Sequence, residues 1–339
     1  MTKKERVAAA IAHQRPDRIP RGELALEPGL RDRLLAGKDV SGMSALAKEK
    51  EARTLLGMDL VNVHEFPAKL LRYDADGFPI YLSAFGDSFK DNGVSMQLVT
   101  PALDDIELEG EYPAPDPGLC TAHLLDYYRE HSDFYLFAQV SGPVSALCWM
   151  LGLEDALCDC LTNLDQAIRL ARKVMAFEVS RAKIFLDHGA DAIMMADDIA
   201  FNTGLFLPPE PMCALAYPIY RESVADIKRH RDVPVFFHSD GNIMDALPSI
   251  ADCGFDGLHS LQPSAGMDIA RVAAEYGGEL CLMGNIDLDY LLTFATPEEV
   301  RREAERLASM FQNGGFILSS CNTLTDSVKP ENAVAMYSI

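Results

Sequence analysis

The chain alternates between short apolar runs and longer amphipathic stretches from about residue 130 onward. Each run is followed by a turn with polar residues and then by a helical pattern, which is typical of parallel βα units. Six such runs predict strands at 134–140, 190–196, 233–238, 255–261, 280–286 and 315–320. Two earlier runs, 18–26 and 58–63, raise the number of predicted strands to eight.

Eight βα units in one chain favour a (β/α)₈ TIM barrel over residues 1–339, taken as a single domain. An N-terminal helical extension precedes it. The alternative is an open doubly wound sheet, but no G-x-G-x-x-G turn follows a first strand. Between the second and third strands, residues 66–132 form an insertion that we expect near the barrel mouth. Its alternating pattern and turn residues predict an antiparallel β-hairpin.

Charge and targeting signals narrow the classes of partner. The formal net charge is −21, which disfavours nucleic acid and anionic membrane surfaces as partners. No apolar run approaches the roughly 20 residues needed to span a bilayer, and charged residues interrupt the first apolar stretch. We therefore expect a cytoplasmic protein.

Polar residues collect at the predicted carboxyl ends of the strands, where TIM barrels carry their active sites. We predict catalytic roles for Glu23, Glu27, Asp197 and Asp240, with one of the adjacent pair Asp197 and Asp198 capping a helix. We predict substrate contacts at the following strand ends: His64, Asp198, His259, Gln262 and Asn285.

A metal site is the strongest chemical prediction. His238 ends an apolar strand, Asp240 follows in the turn, and Cys321 ends the last strand. A histidine nitrogen, a thiolate and one or two carboxylates suit Zn²⁺, with a position left open for substrate. The alternative is that Cys321 is a buried thiol and His238 a strand-end cap.

Several segments occur in a characteristic order along the chain: GADAIMMADDIA, VPVFFHSDGN, GFDGLHSLQP, LCLMGNIDLDYL and FILSSCNTL. Together they resemble the uroporphyrinogen-decarboxylase-like superfamily, which has two main branches. The decarboxylases bind the propionates of their substrate through an R-Q-A-G-R motif, and here that stretch reads RIPRGELALE. This departure from the decarboxylase motif argues against decarboxylation.

The other branch, the corrinoid-dependent methyltransferases, uses an H-x-C motif and a distal cysteine to bind zinc. Here the motif is similar to His238-Ser239-Asp240 with Cys321, so that Asp240 replaces the first cysteine. The resemblance implies a zinc-dependent methyltransferase that moves a methyl group between a small thiol, methylated or methoxylated substrate and the cobalt of a corrinoid.

The methyl-carrying corrinoid, methylcobalamin, is expected on a separate partner protein, because no D-x-H-x-x-G segment occurs in the sequence. Two alternatives stay open. One is a decarboxylase of the same superfamily, acting on a tetrapyrrole. The other is a non-catalytic barrel that binds a corrinoid protein.

Overall fold

The computed structural model describes residues 1–92 and 96–339, so residues 93–95 of the predicted insertion lie outside the described part. The strands are β1 (Leu60–Val63), β2 (Ala68–Tyr73), β3 (Pro79–Ser83), β4 (Ser88–Asp91), β5 (Met96–Thr100), β6 (Tyr135–Ser141), β7 (Ala192–Ala196), β8 (Ala200–Phe201), β9 (Gly204–Leu205), β10 (Val235–Ser239), β11 (Gly257–Ser260), β12 (Cys281–Ile286) and β13 (Phe316–Ser320).

Helices alternate with these strands. They are α1 (Lys3–Ile11), α2 (Pro28–Leu34), α3 (Ala45–Leu55), α4 (His123–His131), α5 (Pro143–Leu151), α6 (Leu153–Thr162), α7 (Leu164–Asp187), α8 (Pro209–Pro211), α9 (Tyr217–His230), α10 (Leu247–Ala251), α11 (Ile269–Tyr276), α12 (Pro297–Met310) and α13 (Pro330–Met336). Short 3₁₀ turns cover Ile106–Gly110, Pro117–Leu119 and Pro263–Ala265, and π-helical turns cover Met212–Ala216 and Leu288–Leu292.

Seven parallel strands form one curled sheet in the order β1-β6-β7-β10-β11-β12-β13. Every neighbouring pair is parallel and consecutive among the sheet strands, as the βα pattern of the sequence predicts. Seven of the eight predicted strands are therefore present, and the sheet has the barrel-like curvature of a βα-repeat fold.

The first predicted strand, 18–26, is not a regular strand. It forms only isolated parallel bridges, Arg21 to Leu318 and Leu26 to Leu324. Pro20 has no backbone N–H, so a continuous ladder cannot run through it. The segment nevertheless links the two edges of the sheet. Its Arg21 carbonyl accepts a hydrogen bond from the N–H of Asp59, just before β1, and the Gly22 N–H donates to the Leu318 carbonyl of β13.

The insertion holds more structure than one hairpin. Strands β2, β3, β4 and β5 form a four-stranded antiparallel sheet in sequence order. The β2 strand is exposed along its length, whereas β3 and β4 turn residues inward. Inward-facing Phe85 packs on Phe177 of α7, with ring centroids 5.5 Å apart. The inward face of this insertion therefore packs against the helical layer.

Alternation along the parallel strands separates two apolar layers. The larger layer lies between the sheet and its helices. A smaller interior cluster joins the inward positions of the strands with Val7 and Ile11 of α1, and includes Phe137, Met194 and Phe236. His238 has the same parity as Phe236, so the pleat directs it to the interior at the carboxyl end of β10. Within residues 1–92 and 96–339, no helix combines the length and apolar character needed to cross a bilayer.

Candidate metal and active site

Three neighbouring strands bring the central side chains together. The sheet pairs β7 with β10 and β10 with β11, and the register places His238 beside Ala196 on one side and His259 on the other. Asp198 follows β7 and Asp240 follows β10. Because parallel strands end at the same edge of the sheet, these four polar residues meet there.

His238, Asp198 and Asp240 form a compact cluster. Nε2 of His238 lies 3.9 Å from Oδ1 of Asp198 and 4.0 Å from Oδ1 of Asp240. One ligand atom from each residue lies within 4.8 Å of the others. One imidazole nitrogen and two carboxylate oxygens are ligands that Zn²⁺ accepts, and three protein ligands leave a position open, so these residues fit a catalytic divalent cation.

Hydrogen bonds hold Asp240 in place. Its Oδ1 lies 2.9 Å from the Ser260 hydroxyl, its Oδ2 accepts from the amide of Asn322, and its backbone N–H donates to Oδ1 of Asp198 over 2.9 Å. Burial raises the pKa of Asp240, with His238 acting in the opposite direction and Asp198 in the same one. The end of β11 and the loop after β13 thus fix this carboxylate, and the loop after β7 fixes its backbone.

Cys321 lies outside the cluster that the sequence assigned to it. Among the described residues, the group of possible metal ligands contains Asp198 in addition to His238 and Asp240, and does not contain Cys321. Burial raises the pKa of the Cys321 thiol to about 12, and the backbone N–H of Leu288 is the largest opposing influence. The thiol is therefore neutral at pH 7 in this arrangement.

The adjacent residues Asp197 and Asp198 have different environments. Asp197 is fully buried and accepts from the N–H groups of Ser145 and Val144, at 2.6 and 3.2 Å, and from the Tyr220 hydroxyl at 2.5 Å. It therefore caps α5, the helix after β6, although burial raises its pKa to about 6. This is the helix-capping role expected of one member of the pair, and the catalytic role expected of Asp197 stays a prediction. Asp198, assigned to substrate binding, is the carboxylate that faces His238.

Glu23 and Glu27 are both anchored away from the cluster. Oε1 of Glu23 accepts from the Ser320 N–H at 3.0 Å and from the Tyr337 hydroxyl, and Oε2 lies 2.6 Å from the Ser320 hydroxyl. Burial raises the pKa of Glu23 to about 7. Glu27 accepts from the backbone N–H of Asp326. The two carboxylates tie residues 23–27 to the end of β13, to the loop that follows it and to the end of α13.

A cavity of about 360 Å³ opens at the carboxyl ends of the strands. Its histidines are His64 and His238, and its charged lining residues are Glu49, Asp198 and Asp240. No lysine or arginine occurs among the described residues that line it. His64 lines this space. Desolvation of its imidazole by the surrounding protein, together with the positive charge of Arg181, lowers the pKa of His64 to about 4.

His64 also borders a second, smaller pocket of about 70 Å³ between the insertion and α5. The side chains around it are mainly aromatic and include Phe66, Phe89 and Trp149. Trp149 lies one helical turn after Ser145, on the same face of α5. The Ser145 hydroxyl accepts from the N–H of Asp198 at 2.9 Å, so α5 connects this pocket to the cluster.

The remaining predicted contacts support loops. Oε1 of Gln262 accepts from the Gly241 N–H at 2.9 Å, and Nδ2 of Asn285 donates to the Leu261 carbonyl at 2.6 Å. Ser260, Leu261 and Asn285 have φ of 90°, 52° and 68°, a conformation that non-glycine residues rarely adopt. This backbone strain is concentrated beside the cluster, which is where functional sites commonly hold it.

Sequence reasoning missed two serines that organise the site. Ser260 follows His259, a predicted substrate contact, and its hydroxyl contacts Asp240, so its place at a strand end was an available signal. Ser145 lies in the first turn of a helix, and nothing in its local sequence indicates that its hydroxyl will hold the backbone of Asp198.

Comparison with known proteins establishes the family. Residues 120–339 match the family described as Uroporphyrinogen decarboxylase (URO-D). The chain belongs to the URO-D family. The matched region contains all four residues that meet at the strand ends, and the predicted membership of this superfamily is confirmed.

Curated relatives match only part of the chain. A uroporphyrinogen decarboxylase from Chloroherpeton thalassium is 29% identical over 178 residues, 51% of this chain and 47% of the relative. One from Chlorobium phaeobacteroides is 30% identical over 153 residues, 43% of this chain and 40% of the relative. The match thus spans about half the length of these relatives, or less.

Solved structures share the fold over almost the whole chain. A methyltransferase from Methanosarcina mazei has a TM-score of 0.77 at 18% identity, and the superposition covers 99% of this chain and 97% of that one. A B12-independent methionine synthase from Shewanella sp. W3-18-1, in complex with selenomethionine, has a TM-score of 0.52 at 13% identity, covering 96% and 94%.

Proposed function

We propose that this URO-D family protein is a zinc-dependent methyltransferase. It moves a methyl group between a small thiol, methylated or methoxylated substrate and the cobalt of a corrinoid carried by a separate protein. Three observations support the proposal: membership of the URO-D family, fold similarity to a methyltransferase, and the cluster of His238, Asp198 and Asp240 at the strand ends.

One observation carries the choice between the two branches. The cavity beside the cluster has three acidic lining residues and, within the described chain, no lysine or arginine. A tetrapyrrole with several carboxylates would meet like charge there and lack the arginine or lysine partners that carboxylates need. A small neutral or cationic substrate encounters no such repulsion, so the cavity favours methyl transfer over decarboxylation.

The ligand set in this proposal differs in one residue from the sequence prediction. His238 and Asp240 would hold the metal with Asp198 as the third ligand, and Cys321 is kept as a predicted ligand for direct test. Bound zinc would supply Lewis acidity, which lowers the pKa of a thiol or hydroxyl and polarises an ether oxygen.

The residues of the chain have separate tasks in this reaction. Ser260 and Asn322 hold Asp240, and Ser145 holds the backbone of Asp198, so the carboxylates face His238 without having to reorganise. The partner protein would present its corrinoid at the mouth, where the cavity opens.

Elemental analysis and a methyl-transfer assay test the proposal. We expect about one zinc ion per chain, lost in His238→Ala and Asp240→Ala and retained in His230→Ala. His230 is a matched control because it is paired with Asp187 at the far end of α9. Methyl transfer between methylcobalamin and small thiols should follow zinc content. Full zinc occupancy in both cluster variants would contradict the proposal.

The names of the curated relatives favour a second candidate, uroporphyrinogen decarboxylation. Incubating the purified protein with uroporphyrinogen and measuring coproporphyrinogen distinguishes the two. Turnover that survives removal of zinc would establish the decarboxylase and exclude the methyltransferase. Binding of a corrinoid protein without any methyl transfer would instead indicate the non-catalytic barrel.

A further inference from the structure

The smaller pocket between the insertion and α5, called the aromatic pocket below, is lined by three phenylalanines and a tryptophan of the described chain: Phe66, Phe85, Phe89 and Trp149. The ring planes of Phe66 and Phe85 are inclined by 59°, and those of Phe89 and Trp149 by 70°. Inclined rings offer both faces and edges to a neighbouring group. The volume of about 70 Å³ is several times the roughly 10–15 Å³ that one water needs. The aromatic pocket therefore has room for a group of a few heavy atoms.

A buried carboxylate lines the same pocket. Asp87 exposes only 2% of its surface, and its Oδ1 accepts a hydrogen bond from the Ser83 hydroxyl. Burial raises the pKa of Asp87, and within the described chain no lysine or arginine acts on it in the opposite direction. A carboxylate is costly to bury unless a cation pairs with it. Asp87 therefore lacks a positive partner, which a ligand in the aromatic pocket would supply.

The buried Arg181 does not supply that partner. Its guanidinium carbon lies 4.8 Å from the ring centroid of Phe66, and its Nη2 lies 3.3 Å from Oε2 of Glu178, which is also fully buried. Glu178 thus balances the charge of Arg181. Asp87 is the only aspartate, glutamate, lysine or arginine among the described residues that line the aromatic pocket. The pocket consequently combines aromatic rings with one negative charge.

His64 joins the aromatic pocket to the cavity beside the metal cluster, because it lines both. Its pKa of about 4 leaves the imidazole neutral at pH 7. The larger cavity contributes three acidic lining residues. Among the described residues that line the two spaces, a cationic ligand therefore meets carboxylates and no lysine or arginine.

We infer that the aromatic pocket binds a trimethylammonium end of the substrate, with Asp87 as its counter-charge and Phe89 and Trp149 as cation–π partners. Aromatic rings bind quaternary ammonium groups through the attraction between the positive charge and the ring face. The role in catalysis rests on the proposed function, since the cluster must act on the other end of the same molecule. The substrate class is then a thiol or methylated compound that carries a quaternary ammonium group.

The first experiment compares two probes of the same shape. Choline ends in a trimethylammonium group, and neohexyl alcohol, its carbon isostere, ends in an uncharged tert-butyl group. Saturation-transfer NMR follows the methyl signal of each probe and gives both dissociation constants. We expect choline to bind at least about 10-fold more tightly, because only the charged group gains from Asp87 and from the ring faces. Equal binding of the two probes, or no binding of choline, would overturn the inference.

Variants of the lining residues test each contact. Asp87→Asn keeps the size of the side chain and removes its charge, so choline binding should weaken at least about 5-fold, with neohexyl alcohol unaffected. Phe89→Leu should weaken choline binding about 3- to 10-fold. Phe89 is only half-buried, so this variant stays informative if Asp87→Asn does not fold. Asp76→Asn is the matched control, since Asp76 is exposed in the turn between β2 and β3. Unchanged choline affinity in folded Asp87→Asn would overturn the inference.

Acceptor thiols test whether the aromatic pocket serves the proposed reaction. Thiols that end in trimethylammonium are compared with tert-butyl thiols of the same chain length, with methylcobalamin as the methyl donor. At the best chain length, kcat/KM should be at least about 10-fold higher for the charged thiol. Equal values at every length would overturn the substrate role. Choline binding by a protein that binds no zinc and transfers no methyl group would support the pocket and overturn only the proposed function.

Discussion

Two acidic sites lie at the same end of the curled sheet, but their environments differ. In the open cluster, Asp198 and Asp240 face His238, and Asp198 exposes 52% of its side chain. In the sealed cluster, Glu23 is fully buried and its carboxyl group is surrounded by hydroxyls and an N–H from Ser320 and Tyr337. The open cluster borders the cavity, and the sealed one does not.

The difference shows which carboxylates can perform chemistry. A carboxyl group whose lone pairs are all used by internal donors stabilises the fold, and its removal leaves those donors unpaired. A carboxyl group with a lone pair directed at a cavity contributes less to stability and can bind a ligand. Variants of the two kinds of carboxylate should therefore differ in what they lose, stability or metal binding.

The largest effect on stability is expected for Glu23→Ala. The change leaves the Ser320 N–H and the Tyr337 hydroxyl buried without their acceptor, so the free energy of unfolding should fall by about 3–5 kcal/mol. Chemical denaturation measures the loss, and Glu27→Ala is the control, because Glu27 is only partly buried. A loss below about 1 kcal/mol would show that Glu23 does not anchor the segment.

The second-largest effect is a pH dependence of the free energy of unfolding, which Glu23 causes. Its pKa rises from 4.5 to about 7 on folding, so between these values the folded state holds a proton that the unfolded state has released. The stabilisation is complete below pH 4.5 and is lost as the pH rises through 7. Glu23→Gln should remove this slope, on the order of 2 kcal/mol, in unfolding curves taken at pH 5 and 7.5. Identical pH profiles would contradict the assignment.

Asp240→Asn should affect zinc binding more than it affects stability. It removes one of two neighbouring like charges, so we expect the free energy of unfolding to change by less than about 1 kcal/mol. Zinc affinity should fall at least about 10-fold, as measured by chelator competition. Unchanged affinity in a folded variant would remove Asp240 from the metal site.

The smallest change in stability is expected for Asp198→Asn, because its side chain is half exposed and its backbone N–H keeps its bond to Ser145. The free energy of unfolding should stay within about 0.5 kcal/mol of wild type, while zinc binding weakens. A parallel Cys321→Ser variant tests the sequence-based ligand. If it loses zinc and Asp198→Asn does not, the original set of His238, Cys321 and Asp240 is correct.

The sequence predicted the parallel strands well because each is a continuous apolar run between turn residues. The run at 18–26 failed because an apolar pattern does not report whether backbone donors are available, and Pro20 has none. The insertion was underestimated for a related reason. Its exposed β2 strand shows little of the apolar alternation by which strands are recognised.

The sequence predicted where the candidate site lies, but not which way its side chains point. His238 and Asp240 could be placed at a strand end from the sequence, and in the structure Nε2 of His238 lies 4.0 Å from Oδ1 of Asp240. Which of Asp197 and Asp198 points inward depends on a single residue of register after β7. The backbone of Leu288, in a different loop, acts on the Cys321 thiol, and the sequence around Cys321 does not indicate that neighbour.

The coupling of Asp198 to α5 provides a built-in spectroscopic reporter. Trp149 is the single tryptophan of the chain, so all indole emission comes from one place. It lies one helical turn from Ser145, whose hydroxyl holds the backbone of Asp198. Ligand binding at the strand ends can therefore be followed in solution as a change in intrinsic fluorescence, without an added label.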